Sequence, residues 1–178
     1  NYDFNFEGAK LLDVTFSGIQ MDINVNLKNT TISKIKFENV IINSHLLLSN
    51  AEIEEIELSN VTVLGDFIAK NGKISIVRFR NVSFQGDILL DQAKITETTI
   101  SNAKMRGDFL FRESFAGKIQ FSDVTLDGDA IFRQSSINEA TFKNTIIKTN
   151  LILECARIDE VYLNNSSITN DVLLKGAK

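Results

Sequence analysis

His45 and Asp66 stand 21 residues apart, and Asp87, Asp108 and Asp129 follow at the same interval. A histidine facing a carboxylate is the pair from which a general base and its orienting partner are made. No serine or cysteine is placed beside them as a nucleophile, so His45 reads as a solvated corner residue. The aspartates form a column of like charge, the sort of oxygen-rich feature a hard cation favours. The surrounding unit lacks the several ligand positions of a calcium-binding nonapeptide repeat, and neither a metal nor another cofactor is expected. Cys155, the single cysteine, has no partner for redox or acyl chemistry and reads as a bend residue. Glu52, Glu54, Glu55 and Glu57 make the one acidic cluster, one interval after Lys34 and Lys36, which favours pairing between neighbouring coils. As the carboxylate set of a carbohydrate-active enzyme it has no companion at adjacent intervals. The chain is expected not to be an enzyme.

The elements that carry these residues follow from the interval itself. From Tyr2 onward, residues 2–169 divide into eight 21-residue units without insertion or deletion, followed by the partial unit 170–178. The phrase GDFIA at 65–69 returns as GDILL at 86–90, GDFLF at 107–111 and GDAIF at 128–132. Within the unit, the fifth, tenth, fifteenth and twentieth positions are apolar in all 33 instances. The fifteenth, for example, reads Phe16, Phe37, Leu58, Phe79, Ile100, Phe121, Phe142, Leu163. Two residues before each of these lies another selected position: an apolar third, a small eighth, and a thirteenth and eighteenth rich in Val and Ile.

An inward pair at i and i+2, followed by a three-residue step to the next pair, is strand alternation interrupted by a bend. A helix would need apolar residues at i, i+3, i+4 and i+7, and the β-branched density with Asn, Gly and Asp at the bends also disfavours one. Four pairs and four bends make a four-sided coil, with the twenty-first residue at the Gly-Asp corner. The seventeenth position runs Gly18, Asn39, Asn60, Asn81, Asn102, Asp123, Asn144, Asn165. These residue types tolerate left-handed backbone angles, and stacked amides can bond from coil to coil. The same ladder creates N-x-S/T matches at Asn60 and Asn81, read as by-products of the turn.

Bulk properties agree. Hydrophobic residues at 43% and charged residues at 24% suit a folded chain. The net charge of −4 comes from 23 acidic and 19 basic residues spread along the sequence, without the clustered basic face of a nucleic-acid binder. One cysteine excludes an internal disulfide framework, and no apolar run approaches the roughly 18 residues of a membrane-spanning helix. There is no proline and no linker, so residues 1–178 are expected to form one solenoid domain. The pattern runs through both ends, as in a piece of a longer protein.

Stretches such as FEGAKL (6–11), FSGIQM (16–21), FRNVSF (79–84) and FKNTII (142–147) resemble the divergent branch of the bacterial pentapeptide-repeat proteins. The resemblance covers essentially the whole chain. It implies a right-handed quadrilateral parallel β-helix, a non-enzymatic interaction role and, for some members, mimicry of duplex DNA toward a type II topoisomerase. The chain departs from that pattern in its 21-residue coil and in mostly lacking Asp or Asn before the central residue. A three-sheet right-handed parallel β-helix is the architectural alternative.

The fourth position lies between two inward residues and must point outward. From the third unit on it reads Leu47, Ile68, Leu89, Leu110, Ile131, Ile152, Leu173. A contiguous aliphatic stripe usually marks an interface. It is the candidate partner-binding face, for a protein partner or for self-association of the isolated domain, side by side through the stripe or end to end. Mimicry of an acidic duplex is the second functional expectation. It is opposed by Lys70, Lys73, Arg78, Arg80, Arg106, Arg112 and Arg133 interleaved with the acids.

Overall fold

A computed structural model describes residues 4–178; Tyr2, where the repeat frame starts, lies outside the described residues. The described chain is an all-β solenoid whose strands pair only with their neighbours one coil away, in parallel and 21 residues apart. Val77 pairs with Thr98, Thr98 with Ile119, and Ile119 with Ala140, so each coil position forms a straight column.

Each central coil contains one long strand, such as Thr31–Ile42, Glu52–Val63, Lys73–Phe84, Lys94–Met105 or Phe115–Leu126. It also contains one two-residue strand, such as Leu46–Leu47, Phe67–Ile68 or Phe109–Leu110. Among the described residues the short strands stack into a nine-stranded sheet and the longer ones into an eleven-stranded sheet. The long strand is itself bent twice: pairing skips the eleventh position (Ser33, Glu54, Ser75, Thr96) and the seventeenth (Asn39, Asn60, Asn81, Asn102). With the turns on either side of the short strand, this gives the coil its four sides.

Two corners use left-handed backbone. At the seventeenth position φ is 54° for Asn39, 55° for Asn60 and 58° for Asp123. At the seventh position it is 57° for Asn29, 58° for Gln92, 54° for Glu113 and 56° for Cys155. In the seventh-position corner the eighth residue's N–H donates back to the fifth residue's carbonyl, as from Ala51 to Leu48 (3.1 Å) and Ala93 to Leu90 (3.2 Å). A hydrogen bond across three residues with positive φ at the third of four is a type II turn.

The Gly-Asp corner works differently. Gly65, Gly86, Gly107 and Gly128 do not have positive φ; they are needed because the coils touch there. A Cβ on Gly86 would sit 2.7 Å from the Gly65 carbonyl oxygen and would also strike the Asp66 carboxylate.

The core fills the interior along the axis. Phe37, Phe67, Phe79, Phe84, Phe109, Phe111 and Phe132 are fully buried, with rings mostly packed edge-on or tilted, as for Phe109 and Phe121 at 5.2 Å, and stacked for Phe37 on Phe16 at 4.8 Å. The fifth, tenth, fifteenth and twentieth positions all lie inside, as the periodicity requires. Only at the end coils do inward columns reach solvent, with Leu163 49% and Leu174 55% exposed.

Candidate functional site

The seven aliphatics of the fourth position fall on one face. All belong to the nine-stranded sheet and stand in unbroken parallel register, Leu47 over Ile68, Ile68 over Leu89, and onward through Leu110, Ile131 and Ile152 to Leu173. The register continues below Leu47 with Asn26 and Asn5, so the outward column changes from amide to aliphatic at the third coil. The residues on either side of each member from Leu47 to Ile152, such as Phe109 and Phe111 around Leu110, are buried in the core, while those around Leu173 on the end coil are exposed. The row itself is half-buried, because coils one strand spacing apart let each aliphatic cover part of the next. Exposure ranges from 9% at Ile152 to 37% at Leu173 on the end coil. The row is therefore a continuous ladder and not a set of isolated greasy residues.

Its two flanks carry charge. On one side runs the second position, where each side chain accepts the backbone N–H of the next coil's second residue. Asp66 Oδ1 accepts from Asp87 (2.9 Å), Asp87 Oδ1 from Asp108 (2.8 Å), and Asp108 Oδ1 from Asp129 (2.8 Å). His45 takes the same role, its Nδ1 accepting the Asp66 N–H at 2.9 Å, while Asp66 Oδ2 lies 3.5 Å away. Asn24 and Asn150 do likewise with their amide oxygens, toward His45 and Asp171. The column thus satisfies corner N–H groups that the sheets leave unpaired, which buried and half-buried backbone demands. The approach of His45 to Asp66 thus comes with backbone capture, and the adjacent Ser44 hydroxyl donates to Asn24 Oδ1 at 2.7 Å.

On the other flank the sixth position carries a mixed ladder. Arg112 binds Asp91 through both its Nε (2.9 Å) and Nη2 (2.5 Å), Lys70 lies 3.9 Å from the same carboxylate, and Arg133 pairs with Glu154 at 2.6 Å. Partial burial pushes the Asp91 carboxyl up, and the Arg112 and Lys70 contacts outweigh it, so the group ends below the ordinary carboxylate range.

The other residues with chemical potential resolve into structural parts. Glu55 pairs with Lys34 of the preceding coil at 3.2 Å and with Arg78 of the following coil. Lys36 turns to Glu38 of its own coil at 3.2 Å. Glu52 and Glu54 stand in an open trough of about 780 Å³ floored by Ile32, Ile53, Ile74 and Ile95. A general acid needs its carboxyl raised, yet a hydrogen bond from Lys73 Nζ at 2.6 Å holds Glu52 below its ordinary value. Cys155 is an exposed corner residue, as its repeat position suggests. The Asn60 amide is used twice, donating to Asn39 and accepting from Asn81, each at 3.0 Å. Among the described residues no three His, Cys, Asp or Glu side chains are grouped to hold a metal ion, and no helix is long and apolar enough to cross a membrane.

The backbone role of the second position was missed from sequence. The seventh position reads as a bend through Cys155, and its left-handed backbone has a signal in Gly8, Asn29, Asn50 and Asn71.

The fold and face together define a β-solenoid built of 21-residue coils with an aliphatic row along one side. Comparison with protein-family models, curated proteins and solved structures finds no match for this chain.

Proposed function

We propose that this chain is a non-enzymatic interaction rod of the pentapeptide-repeat type, and that its contact face is the aliphatic row from Leu47 to Leu173. The observation that carries the reading is the register: seven outward aliphatics in seven consecutive coils, all in the nine-stranded sheet. Packing of each aliphatic on the next covers part of the column, and the apolar area left open is what a partner would cover. The rod offers stiffness and a repeating surface, and its interior is filled with side chains, so binding occurs along its sides. The acids that would have to imitate a duplex are widely paired with bases on neighbouring coils, as in Lys118 with Glu139 and Lys148 with Asp127, which makes duplex mimicry the weaker reading.

A photoreactive amino acid at Leu110, compared with one at Gln120 on the long strand, tests the reading. Protein adducts forming at 110 and not at 120, with concentrated pure chain or with host extract, are expected. Equal yields at both sites would contradict it.

A further inference from the structure

We propose that the occupant of the aliphatic row is a second copy of this chain, packed face to face with the two rods parallel and the two-fold axis along them. This rests on the contact-face reading above and goes further by naming the partner and its orientation.

The argument comes from the charges on either side of the row. A face-to-face pair with two-fold symmetry has two arrangements. With the axis along the rods, the second position of one copy lies opposite the sixth position of the other, at the same coil. With the axis across the rods, second positions oppose second positions and sixth oppose sixth.

The sequence separates these cases. Within the third to ninth units the second position is acidic at Asp66, Asp108 and Asp129, and the sixth position four residues later is basic at Lys70, Arg112 and Arg133. The parallel arrangement therefore sets Asp66 opposite Lys70, Asp108 opposite Arg112 and Asp129 opposite Arg133, each pair occurring twice. Asp171 and Lys175 extend the match to the end coil. Asp87 opposite Asp91 is the one like-charged juxtaposition, and Asp91 is already held by Arg112 and Lys70. The crossed arrangement, centred on Leu110 at the middle of the row, sets Asp108 against Asp108, Asp87 against Asp129 and Arg112 against Arg112. Displacing one parallel rod by a coil sets Asp66 against Asp91 and Asp129 against Glu154.

Rim charges of this kind choose orientation more than they supply affinity. The affinity comes from the row. Six coil steps of about 4.8 Å give a face about 29 Å long, and five extended residues make it about 13 Å wide. That footprint is about 380 Å² on each copy, below the range of stable interfaces and in that of transient contacts. The pair is therefore expected to be weak and concentration-dependent.

The test uses the 178-residue chain with Cys155→Ser and Ile68→Cys, treated with a short bis-maleimide linker. In the parallel pair Ile68 meets Ile68, so a covalent dimer linked 68 to 68 is expected. In the crossed pair Ile68 meets Ile152 and its own copy lies about four coils, or about 19 Å, away. An Ile68→Cys/Ile152→Cys variant that yields only 68-to-152 links between chains overturns the parallel arrangement.

A second variant carries Asp66→Asn, Asp108→Asn and Asp129→Asn. Asparagine already serves this position at Asn24 and Asn150, so the backbone acceptors survive. Parallel pairing predicts at least a tenfold weaker association by sedimentation; unchanged or tighter association overturns it. A strict monomer at every concentration rejects the second copy as occupant. Adducts to a different protein at Leu110 would in that case leave the contact-face reading standing.

Discussion

Replacing Gly107 by alanine adds one methyl group where successive coils are closest. The new Cβ would lie 2.6 Å from the Gly86 carbonyl oxygen and 2.7 Å from its carbonyl carbon, and would also meet Asp87 Oδ1. Comfortable carbon contacts begin near 3.5 Å, so stacked backbone must yield by roughly 0.8 Å. Overpacking of this kind costs about 1–3 kcal/mol. The same shift stretches the bond from Asp108 N to the ionised Asp87 Oδ1, a class of interaction worth about 1.5–3 kcal/mol. Stiffening the unfolded chain returns about 0.4–1 kcal/mol. The net expectation is a loss of about 2–4 kcal/mol, taking part of the hydrogen-bond loss into account. Gly72→Ala is the matched control. It occupies the eighth position, where Ala51 and Ala93 already stand in the same turn, and its φ is not positive. That substitution is expected to be neutral or to stabilise by up to about 1 kcal/mol. Urea unfolding followed by circular dichroism reads both. Equal shifts in the two variants, or a Gly107→Ala chain as stable as the parent, would refute the stacked-glycine reasoning.

Phe109→Ala should cost about 3–5 kcal/mol in the same assay, since it empties space against Phe121 and Phe132. Arg133→Ala, which removes only an exposed pair with Glu154, should cost under about 1 kcal/mol, and comparable losses would contradict the inward assignment. Thr98 is 1% exposed with an unpartnered hydroxyl between Val77 and Ile119, so Thr98→Val should stabilise by about 1 kcal/mol, and destabilisation would show that the hydroxyl has a use. Ion pairs with Lys148 at 2.7 Å and Lys118 at 2.9 Å hold Asp127 and Glu139 below their ordinary values. Their stabilisation is complete above the ordinary carboxylate range and is lost as pH falls through the lowered values. A urea midpoint that is flat near neutrality and declines below about pH 4 is expected, and one that rises on acidification would contradict these pairs.

The periodicity of Phe16, Phe37 and their successors was enough to place the core, because a column buried in every coil must be apolar in every unit. The seventeenth-position corner was equally legible through its run of Asn residues, which pay little for left-handed backbone. The seventh-position bend was legible at Cys155, but its left-handed backbone was not, because Gln92, Glu113 and Cys155 adopt it without advertising it. Gly65, Gly86, Gly107 and Gly128 were placed at a corner, yet their requirement is a contact with the coil below. That requirement becomes visible only when residues 21 apart are stacked. The candidate row was legible as outward-facing from Leu47 to Leu173, whereas its half-burial depends on how closely aliphatics on adjacent coils cover one another. The aspartate column reads as turn chemistry without a metal, but its bonding was not legible: the geometry spends one oxygen of each side chain on a backbone N–H of the next coil.

Light scattering across a concentration series, on the parent chain and on the Leu89→Lys/Leu110→Lys/Ile131→Lys variant, tests the central claim most directly. The three side chains point outward between buried neighbours, so their replacement should leave the β circular dichroism spectrum intact while abolishing concentration-dependent association. A variant that associates like the parent would show that the row is not the contact face. A variant that unfolds would show that the fourth position carries core packing and that the assignment of faces is wrong.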